Sequence, residues 1–376
     1  MSPPLTVGVP TEIKTDERRV ALTPDGVREL DAHGIRVLIQ AGAGEGASIP
    51  DEVYKAAGGE IVSDASETWA RADLVCKVKE PQPSEFEHLR SELTLFTYLH
   101  LAAYPKVATA LCAAGTTALA YETVMRPDGA LPLLAPMSEV AGRLAVQAGA
   151  HFLEAPHGGR GVLLGGAPGV QPARVVVIGA GNVGWNSAWI AAGMEAEVNL
   201  LDKNLDRLRF VDQIHKGRIT TLASNRGTVE RCIAEADLVI GAVLVPGGRA
   251  PVVITEEMVA TMKPGAVIVD VAIDQGGCVA TSHETTHHDP IYVTHGVVHY
   301  CVGNMPGSVP ATSTHALTNA TLPYIVEVAV HGPAEAARRD PALAHGLNAE
   351  AGHIVSPVVA EALGVAVATP SHAALA

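Results

Sequence analysis

Aromatic side chains are scarce in this chain, because Phe, Trp and Tyr together make up 4% of its 376 residues. Hydrophobic residues still make up 48%, so Ala, Val, Leu and Ile must fill the core. No apolar stretch reaches the roughly 18 residues that a membrane-spanning helix needs without a charge, a proline or a polar break. The N-terminus also lacks the basic and apolar regions that open a secretory signal. These absences predict a globular protein of the cytoplasm.

Basic residues are also few. The 26 Lys and Arg residues are outnumbered by 40 Asp and Glu, which gives a formal net charge of −14. This balance argues against a nucleic-acid partner, since a phosphate-binding face needs clustered cations. A small anionic ligand needs only one or two well-placed cations, and these would stand out against the acidic background.

Cysteine is rare and scattered. The chain has five cysteines, an odd number, and none of them forms a CxxC pair. This usage predicts reduced thiols in the cytoplasm, with no disulfide framework and no structural metal site.

Strand-like and helix-like segments alternate through most of the chain, which is typical of α/β layers with a largely parallel sheet. One series starts at the strand Val7-Gly8-Val9, and a second starts after Pro136. The chain is also too long for a single compact core of ordinary size. We therefore predict two Rossmann-like α/β domains with largely parallel sheets.

The turn Gly179-Ala180-Gly181-Asn182-Val183-Gly184 has the GxGxxG pattern of a dinucleotide-binding loop. It lies between a buried apolar strand and a helix, and Asp202 ends the following strand at roughly the 20-residue spacing where a ribose is bound. Gly179 would permit the tight turn, Gly181 the approach of a pyrophosphate and Gly184 close packing of helix on strand. A carboxylate at Asp202 would accept from the ribose 2′-hydroxyl and repel a 2′-phosphate. The alternative is an ordinary turn with a surface aspartate, but the full context favours NAD.

Charged side chains stand at the ends of other predicted strands, where ligands collect in open α/β sheets. Lys79 ends the predicted strand Asp73–Lys79, and His100 follows another strand. Arg19 lies in the loop after the first strand, and Asp274 follows a later strand and precedes two glycines. Each alone has an ordinary structural explanation as an edge, packing or turn residue. Together they supply two cations for a carboxylate, with an imidazole and a carboxylate for proton transfer.

The segment His283-Glu284-Thr285-Thr286-His287 matches the HExxH pattern of zinc metalloproteases. That chemistry needs a helix, which projects both histidines from one face. Two threonines lie inside the segment and His288-Asp289-Pro290 follows it, so we predict a polar loop and no metal. A zinc protease remains the alternative from another enzyme class.

Several longer motifs follow one another along the chain, at residues 8–14, 17 with 19–24, 77–81, 96–103, 136–142, 159–161, 270–277 and 304–307. In the same order, these motifs resemble those of the alanine dehydrogenase family. The resemblance extends to about residue 335.

The resemblance implies reversible oxidative deamination of L-alanine to pyruvate and ammonium, with NAD as hydride acceptor. It implies that Arg19 and Lys79 bind the substrate and that His100 and Asp274 carry the acid–base work. It also implies a homohexamer, whose only other partners are small molecules, and whose substrate domain is built from residues 1–133 and 311–376. The NAD-binding domain would then span 134–310. The expected cofactor-binding residues are Ser138, Gly179, Gly181, Asn182, Val183, Gly184, Asp202, Ser224, Leu244, Val245, Ile273, Asp274, Asn304 and Met305.

Two positions depart from the family pattern: Ala311 stands where arginine is usual, and Gly303 stands where a larger residue is usual. We expect these changes to affect assembly or loop rigidity rather than chemistry. Two other interpretations share the fold. One is the NAD-binding part of a proton-pumping transhydrogenase, and the other is an NAD-binding regulator without activity. The regulator would be expected to lack at least one of the four proposed substrate-binding and acid–base residues, and all four are present.

Overall fold

The computed structural model describes residues 5–243 and 250–371. The chain forms two compact units, one of Met1–Met137 with Val309–Ala376 and the other of Ser138–Ser308. Among the described residues, no helix has the length and apolar character to cross a membrane. The predicted α/β class, with two Rossmann-like and largely parallel sheets, is confirmed.

The strands are short and mostly buried, and they are numbered here in chain order. They are β1 (Val7–Val9), β2 (Val37–Gln40), β3 (Glu60–Val62), β4 (Leu74–Cys76), β5 (Thr94–Thr97), β6 (Thr117–Ala120), β7 (Arg174–Ile178), β8 (Glu197–Asp202), β9 (Thr220–Ala223), β10 (Leu238–Gly241), β11 (Val267–Asp270), β12 (Ile291–Thr294), β13 (Val297–Tyr300), β14 (Leu347–Glu350) and β15 (His353–Ile354).

The helices alternate with these strands, and many begin with a proline in their first turn, where its missing N–H costs nothing. They are α1 (Pro24–Ala32), α2 (Asp51–Ala56), α3 (Ala65–Arg71), α4 (Pro105–Ala114), α5 (Ala135–Phe152), α6 (Asn182–Gly193), α7 (Leu205–His215), α8 (Arg226–Glu235), α9 (Glu256–Ala260), α10 (Pro310–His331), α11 (Pro333–Arg339), α12 (Pro341–Gly346) and α13 (Pro357–Leu363).

The sheet of the first unit has the strand order β3-β2-β1-β4-β5-β6, and these strands run parallel. This is the strand order of a doubly wound dinucleotide-binding fold. Successive strands are added on one side of β1 up to β3 and then on its other side from β4 onward. The C-terminal part of the chain extends the sheet, because β14 pairs antiparallel with β6 and β15 with β14. The loops after β1, β4 and β5 therefore all leave the carboxyl ends of neighbouring strands.

The sheet of the second unit repeats the same order, as β9-β8-β7-β10-β11-β13, with β12 added antiparallel at the edge. Successive residues of β7 point to opposite faces. Val175 and Val177 join one hydrophobic cluster, whereas Val176 and Ile178 join the other. A sheet buried on both faces explains why this strand is continuously apolar.

One strand boundary differs from the prediction. The strand predicted over Asp73–Lys79 ends at Cys76, three residues before Lys79. The next side chain, Lys77, is fully buried and pairs with two carboxylates. Lys79 thus lies on a turn beyond the strand.

Candidate active site

Three of the predicted site residues follow adjacent strands of the first sheet. Arg19 lies in the loop after β1, Lys79 follows β4, and His100 follows β5. Strands β1 and β4 flank the point where the strand order reverses, which is the usual ligand position in such sheets. The structure therefore places these three residues together at the carboxyl ends of neighbouring strands in the first sheet.

Arg19 is buried and is held by a neighbouring carboxylate. Its Nε donates to Glu17 Oε1 over 2.7 Å, and Nη2 donates to Glu17 Oε2. The backbone N–H of Arg19 also donates to Glu17 Oε1, over 3.0 Å. Nη1 points to the sulfur of Met137, at 3.0 Å. This two-point pairing fixes the plane of the guanidinium.

The charge of Arg19 controls the ionisation of its partner. Burial raises the pKa of the Glu17 carboxyl, but hydrogen bonds and charge from Arg19 outweigh it and lower that pKa to about 2. The positive charge of Lys79 acts in the same direction. Glu17 is therefore an anion at neutral pH, and it pairs with Arg19.

A second buried ionic cluster supports the turn that carries Lys79. Lys77 Nζ donates to Glu12 Oε2 over 3.1 Å and to Glu85 Oε1 over 2.9 Å. The other oxygen of Glu12 accepts from the backbone N–H of Val78 over 2.6 Å. Glu12 lies in the loop after β1, so its carboxylate joins that loop to the turn after β4.

His100 adopts an unusual backbone conformation, with φ of +46°. The carboxylate of Glu122 stabilises it, because Glu122 Oε1 accepts from the backbone N–H of His100 over 2.6 Å. His100 Nδ1 lies 3.9 Å from the same oxygen. The imidazole also stacks on the Tyr98 ring, with 5.7 Å between centroids and 3° between planes. Left-handed backbone at a histidine is strained and is often found at functional positions.

The glycine turn of the second unit has the geometry that its pattern predicts. Gly179 has φ of +105°, and a β carbon there would lie 2.5 Å from Ala242 O. A β carbon on Gly184 would lie 1.7 Å from Gly179 O, so helix α6 packs directly on the turn. Among the described residues, the atom nearest to a β carbon on Gly181 would be Arg207 Nη1, at 3.9 Å. A phosphate could approach the backbone there, at the start of α6.

Asp202, at the end of β8, is tied to this turn. Its Oδ2 accepts from the backbone N–H of Ala180 over 2.6 Å, and its Oδ1 accepts from that of Asn204 over 2.7 Å. The backbone N–H of Ser224, after β9, donates to Asp202 O over 2.9 Å. Arg207 Nη1 lies 3.9 Å from Asp202 Oδ2. The carboxylate predicted to bind the ribose therefore lies beside the turn predicted to bind the phosphates.

Asp274 is exposed on a short 3-10 turn, Val271–Gln275, that follows β11. Its Oδ1 accepts from the backbone N–H of Asn304 over 3.2 Å. Asp270, at the end of β11, stabilises this turn. Its buried carboxylate accepts from the backbone N–H groups of Cys278 and Val279 over 2.9 and 3.1 Å. Burial raises the pKa of the Asp270 carboxyl.

The other predicted cofactor residues lie on the second unit as well. Ile273 and Met305 are buried on 3-10 turns, next to Asp274 and Asn304 respectively. Ser138 lies in the first turn of α5, and Asn182 and Val183 open α6. Leu244 and Val245 lie outside the described residues.

The HExxH segment is not helical, as its composition predicts. Residues 283–287 form an irregular loop, and Thr285 pairs with Val302 in an isolated bridge. His283 and His287 therefore do not project from one helical face. The helix that a zinc-protease site requires is therefore not present in this segment.

Sequence reasoning missed the carboxylates that position the site. Glu122 follows β6, and the rule that selected the residues after β1, β4 and β5 would have selected it too. Asp270 ends β11 among apolar residues, which is itself a signal of a buried, hydrogen-bonded carboxylate. Glu12 gives no signal of its role, because its partners are more than 60 residues away.

The chain is similar to known proteins in both sequence and structure. Residues 8–141 match the family model "Alanine dehydrogenase/PNT, N-terminal domain", and residues 145–357 match "Alanine dehydrogenase/PNT, C-terminal domain". The alanine dehydrogenase of Mycobacterium tuberculosis (strain CDC 1551 / Oshkosh) is 56% identical over 98% of this chain and 99% of its own length. That of Bacillus subtilis (strain 168) is 54% identical over 96% and 95%.

Solved structures give the same picture. One named L-alanine dehydrogenase superposes with a TM-score of 0.93 at 50% identity, covering 96% of this chain and 99% of the other. A transhydrogenase from Sinorhizobium meliloti superposes with a TM-score of 0.78 at 24% identity, covering 94% and 99%. At that identity the second likeness shows the fold alone.

Proposed function

We propose that this chain, which belongs to the alanine dehydrogenase/PNT family, is an NAD-dependent alanine dehydrogenase. It interconverts L-alanine and water with pyruvate and ammonium. When bound, NAD accepts the hydride that leaves Cα of alanine. The full-length relatives at 54–56% identity that carry this name support the assignment.

The observation that carries the proposal is the placement of Arg19, Lys79 and His100 after three adjacent strands of the first sheet. Two cations and an imidazole at the carboxyl ends of neighbouring strands suit a small keto acid or amino acid. Its carboxylate needs positive charge, and the oxygen or nitrogen on the neighbouring carbon gains and loses protons during the reaction.

We assign substrate binding to Arg19 and Lys79. Glu17 accepts from Nε and Nη2 of Arg19, and Nη1 lies beside the Met137 sulfur, so the orientation of the guanidinium is fixed. A planar guanidinium fixed in this way can bind a carboxylate in one orientation. The cluster of Glu12 and Lys77 fixes the turn before Lys79 and so limits where its ammonium can reach.

We assign acid–base work to His100 and Asp274. An imidazole can donate a proton to the carbonyl oxygen of pyruvate and accept one from the carbinolamine in the reverse direction. Glu122 and Tyr98 restrict the orientation of the His100 ring, which is what a proton donor requires. The carboxylate of Asp274 would accept a proton from the water that attacks the iminium.

The residues of the second unit fit the dinucleotide. Within the described part of the chain, no atom crowds the position of a β carbon on Gly181, so a pyrophosphate would fit at the N-terminus of α6, where the helix dipole favours negative charge. Asp202 offers a carboxylate for the ribose hydroxyls and disfavours an added phosphate. We propose that Ser138, Ser224, Ile273, Asn304 and Met305 complete the cofactor site, with Leu244 and Val245.

Absorbance of NADH tests the proposal. We expect NADH consumption when pyruvate and ammonium are supplied together, and NAD reduction when L-alanine is supplied. Consumption with pyruvate alone would instead identify a hydroxy-acid dehydrogenase. No consumption under either condition would leave the transhydrogenase-like and regulatory interpretations, and NADH binding without turnover would favour the regulator.

We further propose a cytoplasmic homohexamer, as the family resemblance implies. The five cysteines are all free thiols, which suits a reducing compartment. Light scattering coupled to size-exclusion chromatography gives the mass of the particle. A mass six times that of the 38.9 kDa chain is expected, and a monomer or dimer would contradict the proposed assembly.

A further inference from the structure

Three metal-ligating side chains converge where α5 ends, and none of them is among the residues proposed for catalysis. They are His151, Glu154 and His157, and one ligand atom from each lies within 4.8 Å of the other two. Within the described part of the chain, no other group of three His, Cys, Asp or Glu residues comes together in this way. The HExxH motif does not form such a group.

The ligands are spaced three residues apart, and the backbone between them is fixed. His151 lies in the last turn of α5, and His157 ends a 3-10 turn, Ala155–His157. The N–H of Glu154 donates to His151 O over 3.2 Å, and that of His157 donates to Glu154 O over 3.1 Å. Each step therefore turns the chain so that the next side chain returns to the same side.

The side chains already lie close without an ion. The imidazole centroids of His151 and His157 are 3.9 Å apart, and His157 Nε2 is 3.6 Å from Glu154 Oε2. Zinc binds imidazole nitrogen and carboxylate oxygen at about 2.0–2.2 Å. Small rotations of these partly exposed side chains would bring all three atoms to that distance.

The chemistry of the set selects the ion. Imidazole nitrogens suit Zn²⁺ and the late first-row divalent ions, whereas Mg²⁺ and Ca²⁺ prefer all-oxygen sites. The carbonyl end of the 18-residue helix α5 adds partial negative charge, which favours a cation at this place. Three protein ligands leave a fourth position to water.

We propose that His151, Glu154 and His157 form a site for Zn²⁺ or a similar divalent transition-metal ion. Bound metal would tie the end of α5 to the turn at Gly158, where the glycine-rich segment 158–169 begins. The site lies outside the proposed catalytic set, so its occupancy is expected to stabilise the protein rather than to support turnover.

Isothermal titration of the untagged full-length protein with ZnSO₄ tests the proposal. We expect one bound ion per chain in the wild type, and affinity weakened about tenfold or more in His151→Ala and in His157→Ala, a range typical of damaged metal sites. The matched control is His295→Ala. His295 pairs with Glu256 at 2.8 Å, but among the described residues the two belong to no group of three candidate ligands, so the loss of His295 should leave the affinity unchanged.

Cobalt provides a second readout that is independent of turnover. Co²⁺ bound by nitrogen and oxygen should give visible absorption without the strong near-ultraviolet band of cobalt–thiolate bonds. Absence of Zn²⁺ binding, equal loss in the control, or a thiolate band would each overturn the proposal. Circular dichroism of each variant verifies folding, and these positions are exposed enough to tolerate alanine.

Discussion

The carboxylate of Glu284 occupies the space that a side chain at Gly303 would need. A β carbon on Gly303 would lie 2.3 Å from Glu284 Oε1 and 3.2 Å from Asp274 Oδ1. The Glu284 loop is held there because the N–H of Thr285 donates to Cys301 O over 2.9 Å. Gly303 is a position where the resemblance predicts a larger residue, and such a residue would have to displace the Glu284 carboxylate.

The first prediction concerns this pair. Gly303→Ala should displace Glu284 and press on Asp274, lowering kcat severalfold and the unfolding free energy by about 1 kcal/mol, the lower end for overpacking. Glu284→Ala should be nearly neutral alone and should recover most of the stability lost by Gly303→Ala. Urea denaturation of the two single variants and the double variant measures this coupling. Additive losses would show that the two residues do not compete for space.

The second prediction concerns Glu17. Glu17→Gln should weaken the hold on the buried Arg19, raise KM for pyruvate at least tenfold and destabilise the fold by about 3–5 kcal/mol, as when one partner of a buried pair is removed. Glu85→Gln, in the neighbouring cluster around Lys77, serves as control. It should lower stability with a smaller effect on KM for pyruvate.

The same pair sets a pH dependence of stability. The pKa of Glu17 is about 2 in the fold, against an ordinary value of 4.5. Its stabilisation, on the order of 3 kcal/mol, is therefore fully present above pH 4.5 and is lost as pH falls from 4.5 towards 2. The gap in unfolding free energy between wild type and Glu17→Gln should narrow over that window. A constant gap down to pH 3 would contradict this account.

The sequence was sufficient for the fold class and for the positions of Arg19 and His100, because both depend on local patterns. Apolar strands that alternate with helices form a parallel sheet, and polar residues just after those strands lie at their carboxyl ends. The burial of Lys77 just after β4 was not predicted, because it depends on the carboxylates of Glu12 and Glu85. Such partners meet only after the chain has folded, so no local pattern reports them.

The third prediction concerns Glu122. Because its carboxylate accepts from the backbone N–H of His100, Glu122→Ala should release the strained backbone and misorient the imidazole. We expect kcat to fall roughly 10²-fold or more, within the range of general acid–base contributions, with KM for NADH nearly unchanged. His100→Ala should abolish turnover and likewise leave NADH affinity intact. A large loss of NADH binding in either variant would contradict the assigned roles.

The final prediction concerns the choice between NAD and NADP. Asp202 faces the turn at Ala180 and places negative charge where a 2′-phosphate would lie, while Arg207 stands 3.9 Å away. Asp202→Asn should keep an acceptor for the Ala180 N–H but remove the repulsion, so that Arg207 becomes available to a phosphate. The ratio of kcat/KM for NADH to that for NADPH should fall about tenfold, which corresponds to roughly 1.4 kcal/mol. Asp206→Asn is the matched control, because Asp206 is a highly exposed carboxylate that pairs with Arg209 in the next turn. An unchanged ratio in Asp202→Asn, or an equal change in the control, would mean that cofactor choice does not depend on the Asp202 charge.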